Sequence, residues 1–516
     1  MTFTRGTARR GPAAVYRARV PGHTDVVDVV VDTRRGAPAH RPRRRRPVAT
    51  VVLCAVAAVL LAPVAPGTAS VAPPTGSVPD EVASWARIDL YQETVALLPD
   101  GTRTAVATGT RPTFLAGTRV LDPAAGTLAG ALGGDTGPAG QGGVQAADGV
   151  AAEQRAWLAE GRVPGAGGPY ADMAEAALLD VRTLLLPGGA AVAGWSERWR
   201  YVWPRDAAFV AVALARTGHV DDALEVLGFL DRVQEDDGSF EARYLPDGSG
   251  PPDDRGVQTD GTGWALWAAG LVVAEIADPA EREAAARELR PLVLRSVGRA
   301  TVLVARTGLP PASPDYWEVP ERAVTLGTVA PLVAGLQQAE VLLRLTGDVE
   351  LADDAARAAR RSELATVREF GGAGYARYAA GGHADAARAF LLAPFLRSAL
   401  PGAHDAWRDS VPTMLRPASG LAPGAGWRDD GVSWTPQTSL YAWVAAENGE
   451  RELADGWLRF LDAHRTSAGS IPEKVLADGS PAAVAPLAWS AACVLLALDA
   501  IDDATHVPGP RGPAAV

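Results

Sequence analysis

From Tyr170 to Asp502 the apolar positions recur with helical spacing, and no comparable two-residue alternation appears. Twelve segments begin near residues 170, 204, 219, 259, 279, 321, 348, 384, 404, 435, 450 and 483. Their character alternates. Residues 221–234, 280–306 and 351–370 are charge-rich and amphipathic, as a helix with one wet face must be. Residues 207–215, 261–274, 326–336, 438–446 and 482–498 are small and apolar all round, which requires burial on every side. The connections alternate as well. Those at 217–219, 276–279, 346–348, 399–404 and 449–451 are tight, whereas 188–203, 237–258, 307–320, 370–383, 417–434 and 466–482 are long. In consecutive antiparallel helices alternate loops share one end. The pattern predicts an all-α catalytic domain over 170–502, a six-hairpin α/α barrel whose mouth receives the amino ends of the inner helices. Function is expected there, because loops longer than packing requires are usually functional.

Upstream the helical period is lost. Residues 70–169 are rich in Gly, Ala, Thr and Pro and are expected to form an N-terminal extension and linker. The clearest element is a β-hairpin, 93–98 with 102–107, turned by Pro99-Asp100-Gly101. Residues 131–150 are expected to be linker. Arg43 to Arg46 form a basic run followed by fifteen uncharged residues, 48–62, so 47–69 reads as a secretory signal peptide, with cleavage after Ala69, or as a membrane anchor. Residues 1–46 are then a basic leader, either a disordered cytoplasmic tail or sequence upstream of the true start. Residues 503–516 are expected to be a disordered tail. A secreted or surface-held protein follows, with membrane attachment through 48–65 as the alternative to release.

Charge sharpens that division. Residues 1–46 hold 12 Arg and 3 Asp, net +9, so the remaining chain carries −20 of the total −11. So acidic a body is a poor nucleic-acid partner. Two cysteines, Cys54 in the apolar run and Cys493 alone in the body, exclude a disulfide scaffold and a zinc cluster. The fourteen tryptophans outnumber Phe and Tyr at nine each. Six of them, Trp195, Trp199, Trp203, Trp317, Trp427 and Trp434, fall in the long loops. Each taken alone could equally plug the barrel end, but together with polar motifs they favour a concave carbohydrate site.

Loop one ends Trp199-Arg-Tyr201-Val-Trp203-Pro-Arg205-Asp206, where Arg donates a fork and Asp accepts, suited to two neighbouring sugar hydroxyls or to a structural ion pair with Asp206 as a helix cap. Asp260, in Gln258-Thr-Asp-Gly261, reads as a cap or an orienting carboxylate. Loop three carries Asp315-Tyr-Trp317-Glu318, a carboxylate beside aromatics, and an apolar neighbour favours the protonated form of a proton donor. Loop five carries Trp427-Arg428-Asp429-Asp430, with Arg428 a second sugar clamp or a loop salt bridge. Loop six carries Ile471-Pro-Glu473-Lys474. A carboxylate near helix amino ends and beside the chain's single lysine is favoured in its ionised form, as a base requires. Two carboxylates of opposite bias in one aromatic mouth match what glycoside hydrolysis needs. The chemistry calls for no cofactor and no metal.

These motifs, in this order and with Pro486-Leu-Ala-Trp-Ser490 after them, resemble glycoside hydrolase family 15, the group of glucoamylases, glucodextranases and trehalases. The resemblance covers 170–499. It implies that Arg205, Asp206 and Arg428 hold a terminal glucose, that Glu318 is the general acid and that Glu473 is the general base; Trp199, Tyr201, Trp203, Trp317, Trp427 and Asp260 are the further candidate substrate-binding residues of the mouth. It further implies inversion, with β-glucose released from α-glucosides at the non-reducing end. Val319 stands where fungal glucoamylases tend to carry a second acidic residue. The alternative from another class is a non-hydrolytic glycan-binding or cell-envelope protein that keeps the barrel.

Overall fold

The computed structural model describes residues 13–19, 26–32, 85–125 and 141–506, and divides the chain into two units, 1–79 and 80–516. In the first unit Ala13–Arg19 and Val26–Asp32 pair as an antiparallel hairpin with Arg17 opposite Asp28. The leader thus holds local structure where none was expected, because the valines at 26, 27, 29, 30 and 31 suit an extended, pleated backbone. The segment 47–69 lies outside the described residues.

The second unit is the α/α barrel. Its inner ring runs Pro204–Arg216, Asp260–Glu275, Leu326–Leu345, Ala386–Leu391, Thr435–Glu447 and Ala488–His506, each element packed on the next and the sixth on the first. Outer helices Ala171–Leu184, Val220–Val233, Val349–Phe370, Ala403–Met414 and Arg451–Ala463 cover it, with a broken pair, Pro279–Glu288 and Arg290–Val304, in the third hairpin. That pair was expected as one helix over 280–306. Pro291 has no N–H to donate, and the chain restarts there with proline in its first turn. The fourth inner element is a six-residue 3-10 helix, much shorter than the other inner segments. Asp385 caps it, and Pro394 lacks the donor a longer helix would require. The last inner helix starts at Ala488, later than the apolar run from 482 suggested, because 481–482 pair with 474–475 in a small sheet.

Leu326–Leu345 is long and apolar enough to cross a membrane, yet it is mostly buried as an inner helix. Its approach to the second inner helix is set by glycine. A Cβ on Gly263 would lie 2.3 Å from the Pro331 carbonyl carbon, and one on Gly335 would lie 2.4 Å from the Gly263 oxygen. Below the mouth the ring is filled by rings. Phe209 lies 5.1 to 6.0 Å, centroid to centroid, from Trp264, Trp267, Phe395, Trp443 and Trp489. These tryptophans plug the barrel, and the loop tryptophans stand above them.

The 93–107 hairpin forms, with Thr94–Leu97 paired to Arg103–Val106. The expected linker 131–150 is corrected from Gln141 onward, where helix Gln141–Glu160 begins. Tertiary contact outweighs its glycine content: Trp157 stacks on His219 at 3.8 Å and donates to Asp222 Oδ2 at 2.6 Å. Burial pushes the His219 ring down to about 4. The expected tail is likewise helical as far as His506.

Candidate active site

All six inner elements present their amino ends to one side, and these ends carry the polar side chains. Arg205 and Asp206 lie in the first turn of the first inner helix, and Asp260 opens the second. Thr325 caps the third, Asp385 the fourth. Partial positive charge at helix amino ends favours carboxylates there. In a closed ring of six, the loops before the third and sixth inner elements face each other. Glu318 comes from loop three and Glu473 from loop six, and both line one cavity of about 360 Å³.

The Glu318 side is built by a buried network. Asp315 Oδ1 accepts the Trp317 N–H at 3.0 Å, its backbone oxygen accepts the Glu318 N–H at 2.8 Å, and Thr325 Oγ1 donates to Asp315 Oδ2 at 2.7 Å. The tight turn leaves Glu318 at φ 54°, a left-handed backbone uncommon for a residue with a Cβ. Arg377, 3% exposed, bridges Asp315 and Asp385 at 2.9 Å each and reaches Glu321 at 2.6 Å. Tyr316 donates to Asp385 and to the Pro423 oxygen. Burial raises the Asp385 pKa against the opposing pull of Arg377.

The expected apolar surround of Glu318 is not what the chain builds. Its Oε1 takes Arg205 at 3.1 Å, and its Oε2 takes Arg255 at 2.9 Å and Gln258 at 3.0 Å. Arg205 also meets Asp206 Oδ2 at 3.5 Å and Asp260 Oδ2 at 3.3 Å. Burial alone would lower the Arg205 pKa, but Asp206, Glu318 and Asp260 hold it above its ordinary value. Burial pushes Asp206 up to about 6 and Asp260 up to about 7, with Arg205 opposing in both.

Across the cavity, Glu473 is fixed through its backbone. Its N–H donates to the Val484 oxygen at 2.8 Å, and its carbonyl accepts from the Thr435 N–H at 3.0 Å. Its side chain meets Lys474 Nζ at 3.3 Å and accepts from the Trp199 indole at 3.4 Å. Lys474 in turn lies over the Trp434 ring at 4.3 Å.

Aromatic rings complete the lining. Trp317, Trp427 and Trp434 meet edge to face in a row, at 5.0 and 5.6 Å, while Trp199, Trp203 and Trp489 line it elsewhere. Gly424 makes room for this row, since a Cβ there would come within 2.7 Å of Trp317. Tyr201 lies behind Trp203, under the Arg243 guanidinium, and Asp260 lies behind Arg205, so neither lines the cavity. Arg428 is exposed, 5.5 Å from the Trp427 ring centroid, and does not line it either. A neighbour in sequence to a cavity ring need not share its direction. Sequence reasoning missed Arg243, Arg255 and Arg377 as site residues. All three sit in loops two and four, and the excess length of those loops was the available signal. A larger cavity, about 510 Å³, lies outside the ring between the 94–106 hairpin and neighbouring helices. Its Arg103 is committed to backbone oxygens and its Arg182 to Asp222, so it offers no comparable constellation.

No family model matches the chain, and no curated protein does. Among solved structures it is similar to a glycosidase variant in complex with glucose, at 20% identity, with 64% of this chain and 96% of that one covered and a TM-score of 0.54. It is similar to a bacterial glucoamylase complexed with acarbose, at 18% identity over 70% of this chain and 59% of that one, TM-score 0.56. The glucoamylase from Saccharomycopsis fibuligera aligns at 13% identity over 62% and 90%, TM-score 0.51. The fold is the glucoamylase barrel. Within that barrel the cavity occupies the mouth, at the amino ends of the inner helices.

Proposed function

We propose that this protein is an exo-acting glycoside hydrolase that cleaves α-linked glucosides from the non-reducing end with inversion. The observation that carries this reading is the placement of Glu318 and Glu473 on facing loops of one cavity lined by Trp and Arg. Glu318 protonates the glycosidic oxygen as its bond to C1 breaks. Glu473 takes a proton from a water that attacks C1 from the opposite face, so the released sugar has the inverted configuration. Arg205 and Asp206 hold hydroxyls of the terminal sugar, Arg donating and Asp accepting. Sugar hydroxyls entering the cavity compete for the Arg205 and Arg255 donors that the Glu318 carboxylate otherwise engages. An export role for 47–69 belongs to the same reading, supported by the uncharged run behind Arg43 to Arg46.

The test is to incubate the purified protein with maltose, isomaltose, trehalose, dextrin and dextran and to follow the anomer released by NMR. β-Glucose from at least one of these is the expected result. Release of α-glucose overturns inversion, and binding without product favours a glycan-binding protein instead.

A further inference from the structure

The stretch of loop six that leads into Glu473, residues 466–470, is gripped from outside the ring by the segment that precedes the barrel. Thr466 Oγ1 donates to the Glu93 backbone oxygen at 2.7 Å. The Ser467 N–H and its hydroxyl both donate to the Glu93 carboxylate at 3.0 Å. Ser470 Oγ donates to Thr94 Oγ1 at 2.7 Å, and Glu93, Thr94 and Ser470 are all buried. A fourth side chain, Arg119, reaches the same stretch.

The Arg119 and Asp180 side chains are 4% and 1% exposed, and Arg119 Nε meets Asp180 Oδ1 at 2.6 Å. Nη1 donates to the Ala468 oxygen at 2.9 Å, and Nη2 to the Ala176 oxygen at 3.2 Å and to Ser470 Oγ at 3.4 Å. One planar guanidinium thus joins outer helix Ala171–Leu184 to loop six. A desolvated ion pair adds little net stability, because the cost of taking both charges out of water offsets most of their attraction. What such a fork supplies is direction, since its donors fix several acceptors at once. Its own backbone is anchored: the Arg119 N–H donates to Gln154 Oε1 at 2.6 Å, and its carbonyl accepts the Leu97 N–H at 2.8 Å. The next residue, Val120, is buried with Leu97, Ala147 and Ala151. The 94–106 hairpin and helix Gln141–Glu160 are therefore the footing of this side chain.

We propose that Arg119 is a positioning residue for Glu473, and that the segment ahead of the barrel is a working part of the site. The assignment rests on the reading of Glu473 as the base. Glu473 follows Ser470 by three residues, a taut span of roughly 10 Å. Between them Ile471 is buried and its oxygen accepts the Leu487 N–H at 3.0 Å, so a shift at Ser470 is passed along and not absorbed. A base must hold its water in line with C1, and a misplacement of about 1 Å costs about 10² in rate. Trp199 and Lys474 meet the carboxylate itself, whereas Arg119 sets where its backbone stands.

The experiment compares the full-length protein with its Arg119→Lys variant, which keeps a cation for Asp180 but loses the fork to Ala468 and Ser470. Two substrates are used, a glucoside the parent cleaves and α-glucosyl fluoride. Fluoride leaves with its electron pair and needs no proton, so the acid is not required, while the attacking water must still give its proton to the base. The expected result is a fall in kcat of about tenfold or more on both substrates, with KM within about twofold of the parent. A fall on the glucoside alone, or a lowered melting temperature with parental kcat, overturns the proposal. Should Arg119→Lys not fold, Ser470→Ala, which removes one hydroxyl and leaves the ion pair, carries the same comparison. If the parent cleaves neither substrate, the glycosidase reading fails by itself, and amide hydrogen exchange tests the clamp. Faster exchange over 466–474 in the variant with 315–318 unchanged supports it, and parental protection over 466–474 overturns it.

Discussion

The Arg377 guanidinium lies 3.8 Å from the Trp317 ring centroid while its nitrogens hold Asp315 and Asp385. One side chain therefore fixes both the turn that carries Glu318 and the ring beside it. Arg377→Ala leaves two buried carboxylates without their partner and is expected to cost about 3 to 5 kcal/mol in denaturant unfolding. Arg377→Lys keeps the charge but loses the planar fork, so kcat should fall more than KM rises. Equal kinetics in parent and Lys variant would show that the fork does not position Glu318.

Glu318→Gln and Glu473→Gln preserve shape and remove the proton chemistry. Each is expected to melt near the parent temperature and to lose about 10² to 10⁴ in kcat on any substrate the parent cleaves. Near-parental turnover in both would end the hydrolase reading.

Two buried groups impose opposite pH slopes on stability. The folded state holds Asp260 up at about 7, against an ordinary carboxylate at 3.8, so between these values it binds a proton the unfolded chain has released. Stability from this group is present at acid pH and is lost as pH rises toward 7, by up to about 1.4 kcal/mol per pH unit. His219 works the other way. Its folded value of about 4 against 6.5 means that stability falls as pH drops from 6.5 toward 4. Asp260→Asn should flatten the first slope, to which Asp206 at about 6 also contributes, and His219→Gln should remove the second, measured as urea midpoints from pH 4 to 7.5. A single-variant profile parallel to that of the parent would refute the corresponding assignment.

Close packing of the second and third inner helices predicts a contrast between glycines. Gly263→Ala and Gly335→Ala force backbone apart and should each cost about 1 to 3 kcal/mol. Gly456, in an outer helix with nothing within 4 Å of its missing Cβ, should gain about 0.5 to 1 kcal/mol as alanine. Thermal unfolding of the three variants checks the order.

Much of the barrel was legible because inner and outer helices differ in composition over their whole length. The three wet-faced and five apolar-all-round runs cannot exchange places. The fourth inner element was the least legible, since Ala386–Leu391 is too short for periodicity to set its length. Helix Gln141–Glu160 was hidden because its support comes from His219 and Asp222, far away in sequence. In the site, residues at the starts of inner helices were found from their place before an apolar run. Arg243, Arg255 and Arg377 were missed because their roles depend on partners dozens of residues away. Arg428 shows the converse, a residue beside a cavity tryptophan that itself faces outward.

The ring closes between its last element, Ala488–His506, and its first, Pro204–Arg216, and residues 91–92, just ahead of the 93–107 hairpin, are hydrogen-bonded to Ala483 and Ala485. A growing chain therefore cannot complete the cavity until the helix that begins at Ala488 has been synthesised. The floor under Arg205 is Trp489, the second residue of the final helix. Nascent chains must carry the first five inner elements with an open seam, and fragments ending before 488 should retain helices yet possess no pocket. Assembly of the site waits, for this topology, on synthesis of the sixth inner helix.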